Sequence, residues 1–291
     1  LIGFGLFVGM GMSTHDVVTL STIAHWFVKR RGIMTGIVKI GTAAGQFTIP
    51  PIAAFLLVTY GWRPAFMMMG LGAIVLLLVA AWAFGVPPAT TGSDPTETVS
   101  GYSFAEARRT RIFWMFCAIQ FLFLPSLATI PLHIVVHGMD LGMTATVAAA
   151  LVSTMALASV LARLAVGSFF DRVGGKGALI LCLVPLLASL LALLVVNTPK
   201  SLFAVIVVYG FAHGGLFTVM SPVVAEYFGL KAHGALFGSI IFFGAISGSV
   251  TPVLAGYIFD TTGSYSMAFN FLIAMASSGL ILTLVLPKRR A

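Results

Sequence analysis

Charge is what this chain of 291 residues has least of. Asp, Glu, Lys and Arg together make up 8% of it, where a soluble domain carries about 25%. With 59% of the residues hydrophobic, a water-soluble core of this length cannot hide the apolar surface, and lipid must solvate much of it. Acidic residues are the scarcer sign, 8 against 16 Lys and Arg. The net charge of +8 does not mark a nucleic-acid surface, because the basic residues sit in short clusters between apolar runs and form no face. Cysteine is also rare. Cys117 and Cys182 lie inside apolar runs without metal-ligand spacing, and read as buried inert thiols. No cleavable signal peptide is evident. The sequence has no G-x-x-x-x-G-K-[ST], no H-E-x-x-H, no G-x-S-x-G and no paired Cys/His set. An enzyme, an ATP-driven pump, a cofactor and a metal centre are therefore not expected.

What the chain does have is a repeat of itself. Ala24-His25-Trp26-Phe27, Gly32, Gly36, Gly41, Gly45, Pro50, Gly61 and Ala65-Phe66 return as Ala225-Glu226-Tyr227-Phe228, Gly234, Gly238, Gly244, Gly248, Pro252, Gly263 and Ala268-Phe269. Glycine, proline and aromatic residues constrain backbone and packing more than composition does. In so apolar a chain, a parallel repeat of this length points to a secondary transporter built from two related halves.

A spanning helix needs about 20 apolar residues. Nine such runs are read, at about 1–26, 33–59, 64–86, 112–135, 144–169, 177–196, 202–225, 235–258 and 267–287. The basic residues orient them. Lys29, Arg30, Arg31, Arg108, Arg109, Arg111, Arg172, Lys176, Lys231, Lys288, Arg289 and Arg290 fall on one side, and only Arg63 and Lys200 on the other. The first side is expected to be cytoplasmic, C-terminus included. Trp26, Trp62, Trp82 and Trp114 near span ends suit interfacial anchors. The one long connection, 87–111, is polar and rich in Pro and Gly, and its Tyr102–Arg109 segment can form a short surface helix. The repeat pairs the first three spans with the last three, leaving the middle three without partners. The expected organisation is three spans in 1–86, a central cytoplasmic loop at 87–111, a complete six-helix bundle at 112–287 and a tail at 288–291. Residue 1 is Leu inside a hydrophobic run, and a further three spans are expected ahead of it, giving twelve as six plus six.

Gly167-Ser168-Phe169-Phe170-Asp171-Arg172-Val173-Gly174-Gly175-Lys176 matches G-x-x-x-D-R-x-G-x-K/R at every fixed position. With two parallel halves and a long central loop, the chain resembles the major facilitator superfamily. This resemblance implies an all-α helical bundle working by alternating access. It assigns Gly167, Asp171, Arg172, Gly174 and Lys176 to the gating turn, where Gly167 permits close helix approach and the charges bind and release helix ends. Trp26-Phe27-Val28-Lys29-Arg30-Arg31-Gly32, Gly61-Trp62-Arg63-Pro64-Ala65-Phe66 and Leu132-His133…His137…Asp140-Leu141-Gly142 resemble the monocarboxylate and oxalate:formate transporter branch. That branch's pattern places an acid four residues before the arginine of the eighth span. Here the arginine is Arg163 and the acid position is Ser159. The oxalate branch's lysine in the eleventh span has no counterpart in 235–258, and the adjacent Gly-Pro of the antiporter signature is missing, Gly45 being followed by Gln46.

Ionisable residues at membrane depth are functional candidates, and three stand out: Lys39, Arg163 and Asp16, the last beside His15. Placed on the facilitator fold, Lys39 and Arg163 face one cavity from opposite halves, where a carboxylate can bridge them. Arg offers a bidentate fork and Lys a movable point charge. Depth along the helices also allows Lys39 to pair with Asp16, so substrate contact and structural pairing stay open together. His15 and Asp16 are the candidate proton-coupling pair. His213 is a candidate substrate contact or proton relay, or else a packing residue beside Gly214-Gly215. His133 and His137 share a face near the outer mouth, where substrate contact, a metal pair and plain polarity are all open. The paired glycines are first of all close-packing surfaces. The expected function is secondary transport of a small organic anion, a mono- or dicarboxylate, by proton symport or exchange. The expected setting is a monomer in the plasma (inner) membrane, with lipid and a small-molecule substrate as partners. A drug or sugar facilitator, or a receptor on the same fold, are the alternatives.

Overall fold

The computed structural model of the chain describes residues 9–27, 30–83 and 101–287. Lys29, most of the central loop and the tail with Lys288, Arg289 and Arg290 lie outside the described residues. Every regular element among the described residues is a helix: α1 (Gly9–Trp26), α2 (Arg31–Tyr60), α3 (Trp62–Ala83), α4 (Phe104–Ala107), α5 (Arg111–Asp140), α6 (Ala145–Val173), α7 (Gly175–Leu193), α8 (Pro199–Phe228), α9 (His233–Thr262) and α10 (Ser266–Val285). Eight of them, all but α1 and the short α4, are long and apolar enough to cross a membrane. The expected first span falls short by that measure because its described part carries His15, Asp16 and His25.

Most helices outrun the apolar stretches that announced them. Hydropathy marks where lipid lies, whereas a helix ends only where its backbone hydrogen bonding is broken. The run expected to stop at 169 continues as α6 to Val173, so Asp171 and Arg172 sit in its last helical turn and not in a loop. The stop is Gly174 at φ 84°, a left-handed conformation that favours glycine. The repeat is structural as well. α2 and α9 are 30 residues each, and their C-caps Gly61 and Gly263 have φ 77° and 65°.

The six helices α5 to α10 form one body, in which α5 packs on α9 and α10, α6 on α8, and α7 on α8 and α10. Gly210 and Gly214 bring α8 onto the α6 backbone, since a Cβ at either would collide with the carbonyl of Met155 or Ser159. Prolines inside α5, α7, α8 and α9 are tolerated where neighbouring helices resatisfy the backbone. α3 buries only Ala65, as suits a helix whose apolar surface faces lipid. The short surface helix expected within 102–109 is α4, whose Ser103 and Glu106 form a reciprocal capping box. Those Ser103 contacts hold the exposed Glu106 carboxyl below the usual carboxylate range. The Tyr102 N–H donates to the Phe228 carbonyl at 2.8 Å, which pins the segment before α4 to the end of α8.

Two seams join α1–α3 to this body: α2 along α6 and α8, and α1 along α8 and α9. They are unequal. A Cβ on Gly32 or Gly36 would strike the carbonyl oxygens of Gly167 and Arg163, so α2 touches α6 backbone to backbone. Their repeat mates Gly234 and Gly238 would meet only Ser21 and Val17 side chains, at 3.5 Å or more. Gly36→Val is therefore expected to destabilise the protein by about 1–3 kcal/mol, as overpacking does, while Gly238→Ala is nearly neutral. Thermal melting of the two variants in detergent tests the difference, and equal melting shifts would refute it.

Candidate functional site

The tight seam carries the buried charges. α6 presents Ser159 and Arg163 one turn apart on one face, and α8 answers with His213 and Phe217 at the same spacing. Ser159 Oγ donates to the Gly210 carbonyl at 2.9 Å, and His213 Nδ1 lies 3.3 Å from the same hydroxyl. Arg163 is 2% exposed. Its Nη1 donates to the backbone carbonyl of Lys39, while its Nε has no partner. Lys39 is 4% exposed. Its Nζ donates to Asp16 Oδ1 at 2.5 Å and lies 5.6 Å from the centroid of the Phe217 ring. The rings of His213 and Phe217 meet edge to face at 5.0 Å. His15 Nδ1 is 3.0 Å from Asp16 Oδ1 and opens to the surface. Four helices thus bring Asp16, Lys39, Arg163, Ser159, His213 and Phe217 together, with His15 at the edge.

The ion-pair geometry is unbalanced. Among the described residues, two buried cations have one carboxylate beside them, that of Asp16, which already pairs with Lys39. No carboxylate of the described residues is hydrogen bonded to Arg163, which donates to the Lys39 carbonyl. A buried guanidinium with an unused donor is costly.

His133 belongs elsewhere. Its Nε2 donates to the Pro252 carbonyl at 3.0 Å, which leaves Nδ1 to accept from the Tyr265 hydroxyl at 3.1 Å. It fastens α5 to α9 and to the turn before α10. His137 stacks edge to face on Tyr265 and Phe269 in the same cluster. Among the described residues no group of three metal-ligating side chains forms, there or elsewhere.

At the basic end of the bundle, Asp171 spans the seam. Its two carboxylate oxygens accept from the Gly32 and Ile33 N–H groups at 2.8 and 3.0 Å, capping the N-terminus of α2 where the helix dipole favours an anion. Gly167 is the glycine that faces Gly32. Gly174 ends α6 and begins the turn into α7. Lys176 Nζ donates to the Leu284 and Leu286 carbonyls at 2.7 and 2.6 Å, so it fastens α7 to the end of α10. Arg172 is exposed on the last turn of α6. One partner was not foreseen. Glu226 accepts from the Gly175 N–H at 2.7 Å and caps α7, whereas the ring of its repeat mate His25 contacts the Ser21 carbonyl at 2.7 Å. Phe217 was also missed, although its spacing of four from His213 carried the signal.

A model of the Major Facilitator Superfamily matches residues 1–150 and 138–291. Monocarboxylate transporter 13 of Rattus norvegicus is 30% identical over 295 residues, covering 97% of this chain and 66% of the relative. The Bos taurus protein of that name is 29% identical over 287 residues, covering 97% and 67%. The chain thus spans about two thirds of the length of these curated relatives. Among solved structures, a bacterial homologue of the iron transporter ferroportin in an outward-facing state superposes with a TM-score of 0.61 at 16% identity, covering 96% of this chain and 70% of that one. The transporter FucP in its outward conformation gives 0.54 at 18% identity, covering 76% and 53%. At such identities the structures show the fold alone. From the internal repeat, the helical bundle and a family match that runs from one end of the sequence to the other, the chain belongs to the Major Facilitator Superfamily, and its relatives include the superfamily's monocarboxylate transporters.

Proposed function

We propose that this chain carries the substrate site of a secondary transporter for small carboxylates, coupled to protons one for one. The observation that supports this reading is the charge count of the buried cluster among the described residues: Lys39 and Arg163 against Asp16. With Asp16 ionised the empty site holds one excess positive charge. When a proton neutralises Asp16, Lys39 loses its partner and both cations turn to a carboxylate. The loaded site then again holds one excess positive charge. Proton and anion enter together, and the charge that crosses the membrane is zero. A bidentate Arg163 contact orients the carboxylate and Lys39 closes on it from the other half. In this reading the basic end is cytoplasmic, Asp171 is its closed gate, the three helices before the central loop and the six after it move as two bodies, and His15 passes the proton between solvent and Asp16. In this reading the protein works as a monomer.

The experiment is uptake of a panel of labelled carboxylates by the protein in liposomes. Uptake of the best substrate is expected to rise when the outside is acidified and to be indifferent to a membrane potential set with potassium and valinomycin. Uptake driven by potential at constant pH would overturn one-for-one coupling. Flux of a sugar or a cation with no carboxylate uptake would overturn the substrate class.

A further inference from the structure

We infer that His233 is a pH-operated latch on the second seam, where α1 meets α8 and α9, and that acid at the basic end of the bundle opens it. The inference concerns how the two halves part and is independent of the solute carried. At the first seam the Asp171 carboxylate caps α2. The second seam sets Ser21 and Val17 against Gly234 and Gly238, and three buried residues close it. His233 Nε2 donates to the Ser221 carbonyl at 3.0 Å, and the Ser221 hydroxyl donates to the Leu20 carbonyl at 3.5 Å. His233 and Ser221 are each 1% exposed and Leu20 2%. The contacts thus run from α9 through α8 to α1, sealed from solvent along the way.

The seat suits a neutral ring. A carbonyl only accepts, so Nε2 carries the proton of the neutral imidazole and Nδ1 is bare. Among the described residues Nδ1 is buried with no hydrogen-bond partner. A second proton would sit there as a sealed donor on a charged group, with nothing to receive it. The neighbours oppose that charge as well. The charged groups that act on the ring are Arg31 from α2 and His25 from α1, one a cation and the other able to become one. α8 contributes the neutral Ser221, and α9 itself the Phe237 ring, stacked at 5.8 Å. His233 is also the first residue of α9, where the helix dipole repels a positive charge. The repeat sharpens the contrast. His233 is the mate of Arg31, the first residue of α2, with Gly32 and Gly234 as the next pair. Arginine is charged at every accessible pH, whereas histidine changes charge near neutrality. The sign follows from the geometry. The closed seam holds one proton fewer than an open seam in which water reaches the ring. Lowering the pH therefore draws the equilibrium toward the open form.

The test measures the width of the seam. Spin labels on Trp26→Cys and Lys231→Cys, exposed positions on its two sides, give the distance between α1 and the start of α9 by pulsed electron resonance in liposomes. Cys117 and Cys182 are buried and leave the background unlabelled. A histidine in water titrates near pH 6.5. Going from one pH unit above that value to one below, the ratio of the long-distance to the short-distance population is expected to rise about tenfold, the yield of one proton. His233→Gln keeps a donor for Ser221 but takes no charge, and it is expected to hold the short distance at both pH values. His233→Arg carries a charge that cannot be removed, and it is expected to give the long distance at both. It also carries the test if the Gln variant does not fold. His25→Gln should keep the pH response. A ratio in the parent that ignores pH, a response that survives in folded His233→Gln or disappears in His25→Gln, or an Arg variant that stays closed would each overturn the inference. None of these results bears on the carboxylate reading, which is decided by uptake.

Discussion

Arg163→Met is expected to lower carboxylate uptake at least a hundredfold and to leave the folded protein as heat-stable as its parent, or more so. The two effects come from one cause. A hydrogen bond to a charged partner contributes about 1.5–3 kcal/mol, and a bidentate guanidinium–carboxylate pair makes two of them, so its loss accounts for a hundredfold or more. Among the described residues, Arg163 has no such partner. It is 2% exposed, leans on the Lys39 carbonyl and leaves Nε unused. Replacing a buried, poorly compensated charge by a hydrophobic group of similar volume is often neutral or stabilising. A residue that held the fold together would show the opposite pattern. Uptake and thermal melting on the same preparation decide the matter. Loss of both together would make Arg163 structural, and uptake that survives the substitution would end the anion-clamp reading.

Asp16→Asn is expected to act in the other direction on stability and to remove pH dependence from transport. The substitution leaves Lys39 and Arg163 as two cations in one apolar site with no carboxylate between them. Stranding a buried charge by removing its partner costs about 3–5 kcal/mol, and the cost here falls toward the low end because Asp16 keeps partial contact with solvent. A melting temperature that drops in plain buffer and recovers when substrate carboxylate is added would be the signature, because the substrate supplies the missing negative charge. Asn also mimics the protonated acid permanently. Exchange of labelled for unlabelled carboxylate should persist while accumulation driven by a pH gradient disappears. A variant that still accumulates substrate against its gradient when the outside is acidified would show that the proton rides elsewhere.

Much of this was legible in the sequence because membranes and repeats write in a coarse alphabet. Runs of about 20 apolar residues announced the helices, and the glycine and proline positions shared by the two copies announced their equivalence. Rise per residue and depth allowed Lys39 to reach Asp16, beside the open alternative of substrate contact, and the two do meet. Helix ends were less legible, since Asp171 and Arg172 are polar yet helical, and only the left-handed Gly174 stops α6. The surroundings of the charges were not legible. Nothing in the order of residues says that Ser159 turns to His213, that Gln120 leans on Gly244, or that Glu226 caps α7. These depend on how two helices from distant parts of the chain are rotated about their axes. His133 shows the same limit: its type and spacing suited a ligand, and its neighbours Tyr265 and Pro252 make it a fastening between helices.

The contact of Asp171 with the start of α2 and the contact of Arg163 with the Lys39 carbonyl lie on the same two helices. Gly32 and Lys39 are two turns apart, about 10 Å along α2. Neither contact can part while the other stays whole, unless α2 bends between them. In the proposed reading, a carboxylate held by Arg163 and Lys39 is a cross-link on the same joint that the Asp171 contacts to Gly32 and Ile33 span. Whatever free energy the anion gains by binding to the closed form over the open one is added to the work of opening that end. Tight binding and fast release are in direct opposition at this joint, and a substitution that sharpens affinity in the closed state should slow turnover by the same factor.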